Sequence, residues 1–184
     1  AVRWKVAGGW FDAACTLLPS PESLVRQTLY GNGFFPKVLG VTSRDVFLPD
    51  CFGFSQALPT LATHCGILGF STQKLRRGAE MRSAFGVPFA FGLWTGPDGS
   101  TLAAVLDPGE YGAQASRDLA TDPQWADRFR ALAASDRPDS LMTLQGLGDK
   151  GGAIPAAAIE WLERARAGAG PIDVRLADSE QIFR

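Results

Sequence analysis

The stretch DVFLPDCFGFSQALPTLATHCGILGFST, residues 45–72, contains the clearest signals of secondary structure in the chain. Its first apolar run, Asp45 to Leu48, has the length of a buried strand. Ser55 is placed to cap a helix that ends at Gly66, since glycine commonly terminates helices. A second short apolar run, Gly69 to Thr72, follows directly. Strand, helix and strand in this order predict a βαβ unit with two parallel strands.

The alternation of short apolar runs and longer amphipathic segments continues on both sides of this unit. The segment Ser20–Glu22 supplies an N-cap, a proline at the first helical position and an acid in the first turn, and predicts a helix that runs to Leu39. Two apolar runs, Phe89 to Thr95 and Thr101 to Leu106, flank the turn residues 96–99 and predict a β-hairpin.

The remaining segments extend the same order to the end of the chain. Further strands are predicted at Val2–Ala7, Leu141–Leu144 and Ile172–Leu176, and further helices at Pro123–Ala134, at Pro155–Ala167 and from Ser179 onwards. Strands that alternate with helices predict an α/β fold with mostly parallel strands. Because the sequence begins in the middle of a predicted strand, we expect it to be a segment of a longer protein.

The composition narrows the class of protein and of partner. The chain has 184 residues, which fits one domain, whereas a complete enzyme barrel usually needs about 250 residues. With 18 Lys and Arg against 19 Asp and Glu, the formal charge is −1, so no basic surface attracts nucleic acid or an anionic membrane. A neutral, compact substrate is therefore favoured.

Membrane insertion and secretion are not indicated by the sequence. No apolar stretch approaches the roughly 18 residues that a membrane span needs, and the N-terminus lacks the pattern of a secretory signal. The three cysteines, Cys15, Cys51 and Cys65, form no C-x-x-C pair, and their odd number does not predict a disulfide framework. This cysteine usage favours a reducing compartment such as the cytoplasm.

Asp50 lies at the position in the chain that is most typical of a functional residue. Functional side chains of parallel sheets and barrels lie where strands end and loops begin, and Asp50 follows the first strand of the βαβ unit in that way. A carboxylate there serves as a nucleophile, as a metal ligand or as a cap for the following helix. The residue type alone leaves these alternatives open.

Several longer motifs resemble one enzyme family in the same order along the chain. They are LPSPESLVRQTLYGNGFF, FLPDCFGFSQALPTLATHCGILGFSTQKL, FGLWTGPDGSTLAAVLDPGEYG, LGDKGGAIP and DVRLADSEQIF. The chain is similar over nearly its whole length to bacterial α-mannosidases of glycoside hydrolase family 38. The resemblance implies that residues 1–184 form part of a (β/α)7-type catalytic barrel. It also implies a retaining, zinc-dependent hydrolase that acts on α-linked mannose in oligosaccharides or glycosides.

The resemblance gives several residues of this chain an implied role. Asp50 matches the family's nucleophile, which also binds the catalytic zinc, and Phe52 matches an aromatic residue that packs against the sugar. Lys74 matches a basic residue that the family places close to the nucleophile, where it keeps the nucleophile ionised. Asp149, in the loop GDKGG, is the candidate acid/base. For Phe52, Lys74 and Asp149, the alternatives are a core phenylalanine, an exposed lysine and a simple glycine-rich turn.

Two aromatic residues are further candidates for the substrate site. Trp94 and Tyr111 have rings that suit stacking against a sugar, although core packing is the ordinary role of such residues. The sequence contains one histidine, His64, inside a predicted helix, and it matches neither zinc histidine of the family. For that reason we predict no metal role for His64.

The chain departs from the family pattern at the metal site and at one further position. The His-x-Asp pair and the later histidine that complete the zinc site are missing, so the remaining ligands are expected outside this chain, and the isolated chain is expected to be inactive. Cys15 stands where the family has an acidic residue. An alternative interpretation is therefore a degenerate or truncated carbohydrate-binding remnant without catalysis. A deacetylase-like barrel is a third possibility, but the chain has no His-x-x-x-His pair.

Overall fold

A computed structural model describes residues 5–75, 91–106, 151–170 and 173–184, together with positions 118, 121–123, 126–127, 130, 142 and 144. The chain divides into two compact units. The first consists of Ala1–Asp107 and Ala177–Arg184, and the second of Pro108–Leu176. None of the helices described is long and apolar enough to cross a membrane.

The first unit is built on a mixed, mostly parallel sheet. Its elements are α1 (Pro21–Leu39), β1 (Asp45–Phe47), α2 (Leu58–His64), β2 (Gly69–Thr72), β3 (Phe91–Thr95), β4 (Thr101–Leu106) and a short 3-10 helix (Gln181–Phe183). The strand order is β1-β2-β4-β3, in which β1, β2 and β4 are parallel and β3 is antiparallel to β4. This confirms the α/β class, the βαβ unit and the hairpin. Closure of the sheet into a barrel stays a prediction.

Helix α1 has the predicted capping residues and lies very close to the segment before it. The Ser20 hydroxyl accepts a hydrogen bond from the Ser23 N–H at 3.2 Å, and Gly40 ends the helix with a positive φ of 67°. A Cβ atom on Gly31 would lie 2.0 Å from the carbonyl oxygen of Gly9. Glycine has a low helix propensity, but the missing side chain of Gly31 allows the backbone of α1 to approach the backbone at Gly9.

Helix α2 ends as predicted but begins later than predicted. The N–H of Ile67 bonds to the carbonyl of Ala62 and the N–H of Gly66 to that of Thr63, both at 3.0 Å, with φ of 78° at Gly66. This is the Schellman pattern that glycine stabilises. The Ser55 hydroxyl accepts from the N–H of Ala57 at 3.2 Å, so Ser55 closes the turn before the helix and the prediction of a helix cap is wrong.

The hydrophobic core lies between the sheet and the two helices of the first unit. Phe70 of β2 is fully buried and makes edge-to-face contacts with Phe54 and Trp94, with ring centroids 5.0 and 5.3 Å apart. The other buried members are Trp10, Leu24, Val46, Leu48, Cys51, Leu58, Ala62, Ile67 and Leu102. All four residues of β2 are buried, as expected for a central strand covered on both faces.

Several terminal predictions need correction. Residues 5–7 and 173–176 form no strand, because they pair with no other strand among the described residues. In the latter segment Arg175 bonds instead to the carboxylate of Asp173 at 2.8 Å. The helix predicted from Ser179 is only the 3-10 turn, which begins where the Asp178 carboxylate accepts the N–H of Gln181. The predictions at 123–134 and 141–144 fall mostly outside the described residues.

The second unit contains the helix predicted near the end of the chain. Helix α3 spans Ala156–Arg166, one residue shorter at each end than predicted. Leu162 and Ala165 on this helix are buried against Val174. Arg164 pairs with Asp118 at 3.0 Å.

A cluster of polar side chains fastens α2 to the β3–β4 turn. Thr60 Oγ1 donates to Asp98 Oδ1 at 2.6 Å, and His64 Nε2 lies 2.9 Å from Asp98 Oδ2. Hydrogen bonds from Ser100, and then from Thr60 and His64, hold the pKa of Asp98 well below its usual range. The single histidine therefore has a structural partner.

Asp45 is a fully buried carboxyl group at the beginning of β1. Ser43 donates a hydrogen bond to Oδ1 at 2.5 Å, while Oδ2 is buried with no hydrogen-bond partner among the described residues. Burial raises the pKa of Asp45, because the charged form is poorly solvated there. The charged side chain thus costs stability near neutral pH.

We predict that Asp45→Asn changes how stability depends on pH. The folded-state pKa of Asp45 lies above its unfolded value, so wild-type stability falls as pH rises through this interval. The free energy of unfolding of the variant, relative to that of the wild type, should therefore increase from pH 4 to pH 8. Urea unfolding at several pH values measures this difference, and a flat difference would contradict the assignment.

Candidate functional site

The carboxyl ends of the neighbouring parallel strands β1 and β2 bring Asp50 and Lys74 together. Phe47 is the last residue of β1 and Thr72 the last of β2, so each polar residue follows its strand by two or three positions. Lys74 Nζ lies 2.9 Å from Asp50 Oδ1. The prediction that these two residues are neighbours is confirmed.

The two partners of this ion pair differ in their access to solvent. The Lys74 side chain is 2% exposed, whereas the Asp50 side chain is 39% exposed. The ammonium group is thus held inside the protein, and the carboxylate faces outward. An outward-facing carboxylate of this kind can serve as a nucleophile or as a metal ligand.

Phe52 completes the exposed side of the site. The Lys74 ammonium lies 4.9 Å from the centroid of its ring, which is a cation–π distance. Phe52 is 62% exposed, although it is a large apolar residue. The core alternative for Phe52 is therefore wrong, and an aromatic face lies open beside the carboxylate. The alternative of an exposed Lys74 is wrong as well.

The loop that carries Asp50 is fastened by a residue that the sequence did not reveal. Thr16 Oγ1 donates to the carbonyl oxygen of Gly53 at 3.0 Å and accepts from the N–H of Ser55 at 3.1 Å. Gly53 has a φ of 135°, and a Cβ atom there would lie 2.4 Å from Leu17 Cδ1. A threonine in a loop carries no motif, so only its contacts identify this role.

Cys51, next to Asp50, is buried and reduced. Its sulfur lies 3.6 Å from the carbonyl oxygen of Ala14, and the three cysteines of the chain are free thiols. Burial, together with Cys15 and Asp50 nearby, raises the pKa of the Cys51 thiol. Cys51 is therefore ionised to a smaller extent near neutral pH than an exposed cysteine.

The other candidate residues lie elsewhere or outside the description. Trp94 is partly buried and packs against Phe70 of the core, so its sugar-binding role stays a prediction. Asp149 and Tyr111 lie outside the described residues. Their predicted roles as acid/base and substrate contact are likewise untested.

A metal site is not complete within the described part of the chain. No group of three or more His, Cys, Asp and Glu side chains lies close enough there to hold an ion. A protein zinc site has at least three protein ligands in most cases. Asp50 can offer one oxygen, and the described residues alone do not fit a zinc ion.

The sequence is similar to a known family over its whole length. The model of the glycosyl hydrolases family 38 N-terminal domain matches residues 1–184. Alpha-mannosidase G of Dictyostelium discoideum is 34% identical over 91% of this chain, and alpha-mannosidase 2C1 of Homo sapiens is 34% identical over 97%. An alpha-mannosidase of Saccharomyces cerevisiae is 33% identical over 89%. The chain spans only 15%, 16% and 14% of the lengths of these relatives.

We predict that Lys74→Met leaves the fold intact. The substitution removes a buried charge and keeps most of the side-chain length, and the Asp50 carboxylate that loses its partner is exposed enough to be hydrated. The free energy of unfolding should therefore change by less than about 1 kcal/mol, or increase. Chemical denaturation measures it, with Lys74→Arg as the charged control. A loss of more than about 3 kcal/mol would show that the ion pair is needed for folding.

Proposed function

Because the chain belongs to glycosyl hydrolases family 38, we propose that it carries the nucleophile of a retaining α-mannosidase. The full-length protein would hydrolyse α-linked mannose from oligosaccharides or glycosides. One observation carries the assignment of the nucleophile: an outward-facing carboxylate, Asp50, is paired with an inward-held ammonium, Lys74, at the carboxyl ends of adjacent parallel strands.

In the proposed first step, Asp50 attacks the anomeric carbon of mannose. A bond forms between a carboxylate oxygen and that carbon, while the bond to the leaving oxygen breaks, and that oxygen takes a proton from a second carboxyl group. Water then releases the sugar from Asp50, so that two inversions give net retention. The outward-facing position of Asp50 permits this attack, and Lys74 stabilises the negative charge that the carboxylate carries before attack and after release.

The second carboxyl group is proposed to be Asp149. A retaining glycosidase needs its acid/base about 5–5.5 Å from the nucleophile. What supports Asp149 is its place in the loop GDKGG, which resembles a loop of bacterial family members. This assignment depends on the resemblance alone.

Zinc and barrel closure are also part of the proposal. Asp50 would hold a zinc ion with ligands from other parts of the full-length protein, and the bound ion would supply Lewis-acid stabilisation to the sugar. The four-stranded sheet would be one section of a larger (β/α)7-type barrel. The ion pair between Asp50 and Lys74 forms without these other parts of the protein.

A second candidate is a carbohydrate-binding protein that has lost catalysis. Cys15 favours it, since the family carries an acidic residue at that position. In that case the full-length protein would bind mannosides without turning them over. Hydrolysis of a mannoside that depends on Asp50 separates the two candidates.

We predict that Asp50→Asn abolishes hydrolysis of an aryl α-mannoside by the full-length protein. Loss of the nucleophile should lower kcat/KM by at least about 10³-fold. The matched control is Asp173→Asn, which alters an exposed aspartate paired only with a neighbouring arginine and should retain activity. Turnover by Asp50→Asn at the wild-type rate would reject the nucleophile, and a product with inverted anomeric configuration would reject the retaining mechanism.

We predict that a chelator removes this activity and that zinc restores it. The ion is expected to polarise the substrate, so its removal costs several kcal/mol of transition-state stabilisation. Activity is measured before chelation, after it, and after addition of Zn²⁺, with metal content determined on the same samples. Full activity of metal-free protein would exclude the zinc part of the proposal only.

A further inference from the structure

We propose that Cys15 and Cys51 form a reversible disulfide that locks the loop carrying Asp50 to the loop before α1. Neither the α-mannosidase proposal nor the zinc site requires this bond. It would be a redox modification site, and a small disulfide such as oxidised glutathione would be its oxidant.

One contact sets an upper limit on the distance between the Cys51 sulfur and the Cα atom of Cys15. Cys51 Sγ lies 3.6 Å from the carbonyl oxygen of Ala14. Ala14 is the residue directly before Cys15, so this oxygen belongs to the peptide group that joins the two residues. In a trans peptide the carbonyl oxygen lies about 3 Å from the next Cα, so Cys51 Sγ is within about 6.5 Å of Cys15 Cα. That range includes the geometry of a disulfide after rotation of the two side chains and a small shift of the loop.

Independent contacts hold the two loops in this alignment. Thr16, next to Cys15, makes hydrogen bonds with both Gly53 and Ser55, which follow Cys51. Leu17 packs over Gly53. These contacts, which directly follow both cysteines in sequence, keep the two loops aligned, and a disulfide would add a covalent bond to loops that already touch.

The exposure of the two thiols sets the order of the reaction. Cys15 is partly exposed, whereas Cys51 is buried, so a soluble disulfide reaches Cys15 first. Cys15 displaces one glutathione thiol and forms a mixed disulfide. Cys51 then attacks the sulfur of Cys15, and the second glutathione leaves as a thiol. Two protein thiols are oxidised, and one molecule of oxidised glutathione is reduced to two thiols.

Cys65 provides a matched control within the same chain. It is also a partly exposed free thiol, but it lies at the end of α2, where its N–H bonds to the carbonyl of Leu61. Cys65 is also much closer to Cys51 in sequence than Cys15 is. In an unfolded chain, loop closure therefore favours Cys51–Cys65, and only the folded arrangement favours Cys15–Cys51.

The test is oxidation of the full-length protein with oxidised glutathione under native conditions and in denaturant, followed by peptide mass mapping without reduction. Under native conditions we expect the Cys15–Cys51 cross-linked peptide to exceed the Cys51–Cys65 peptide by at least about tenfold. In denaturant this order should reverse. Dithiothreitol should restore the free thiols.

Variants complete the test. Cys15→Ser should remove the cross-link, and Cys65→Ser should leave its yield unchanged. The proposal is overturned if native protein forms only a stable mixed disulfide at Cys15, or if Cys51–Cys65 predominates in the folded state. The readout is covalent structure, so it does not depend on whether the protein hydrolyses mannosides.

Discussion

The parallel pairing of β1 and β2 is the constraint on which the candidate site depends. It places the ends of both strands at the same edge of the sheet, and in this way Lys74 reaches Asp50 although the two are separated by a helix in sequence. The cation is shielded from water, and the anion is not. A surface ion pair of this kind would be worth little, but here the sheet fixes the ammonium before any substrate arrives.

The aspartates at the two ends of β1 differ in burial and in their charged neighbours. Asp45 at the beginning of β1 is enclosed and has no ion-pair partner in the described part of the chain, and burial raises its pKa. Asp50 beyond its end faces solvent and has a cation within hydrogen-bond distance. Residue type is identical in the two cases, and position on the sheet decides which carboxyl group is suited to chemistry.

The sequence predicted the βαβ unit, the hairpin and α1 because each is specified by local signals. Ser20, Gly40 and Gly66 act within one turn of their own helix ends, and the turn residues 96–99 fix the hairpin. Strands were wrongly predicted at residues 5–7 and 173–176, because strand formation needs a partner that the local sequence does not identify. The nearness of Asp50 and Lys74 was predicted through the family motif, whereas Thr16 was missed because its role depends on contacts with residues far along the chain.

Gly53 and Leu17 together restrict how the loop around Asp50 can be altered by protein engineering. Gly53 has a backbone conformation that other residues adopt with strain, and the side chain of Leu17 fills the space above it. A new side chain at position 53 alone would add backbone strain of about 1–3 kcal/mol and would also have to displace the exposed end of Leu17. In a redesign of this loop, a smaller residue at position 17 would make room for a side chain at position 53, but the backbone strain at position 53 would remain.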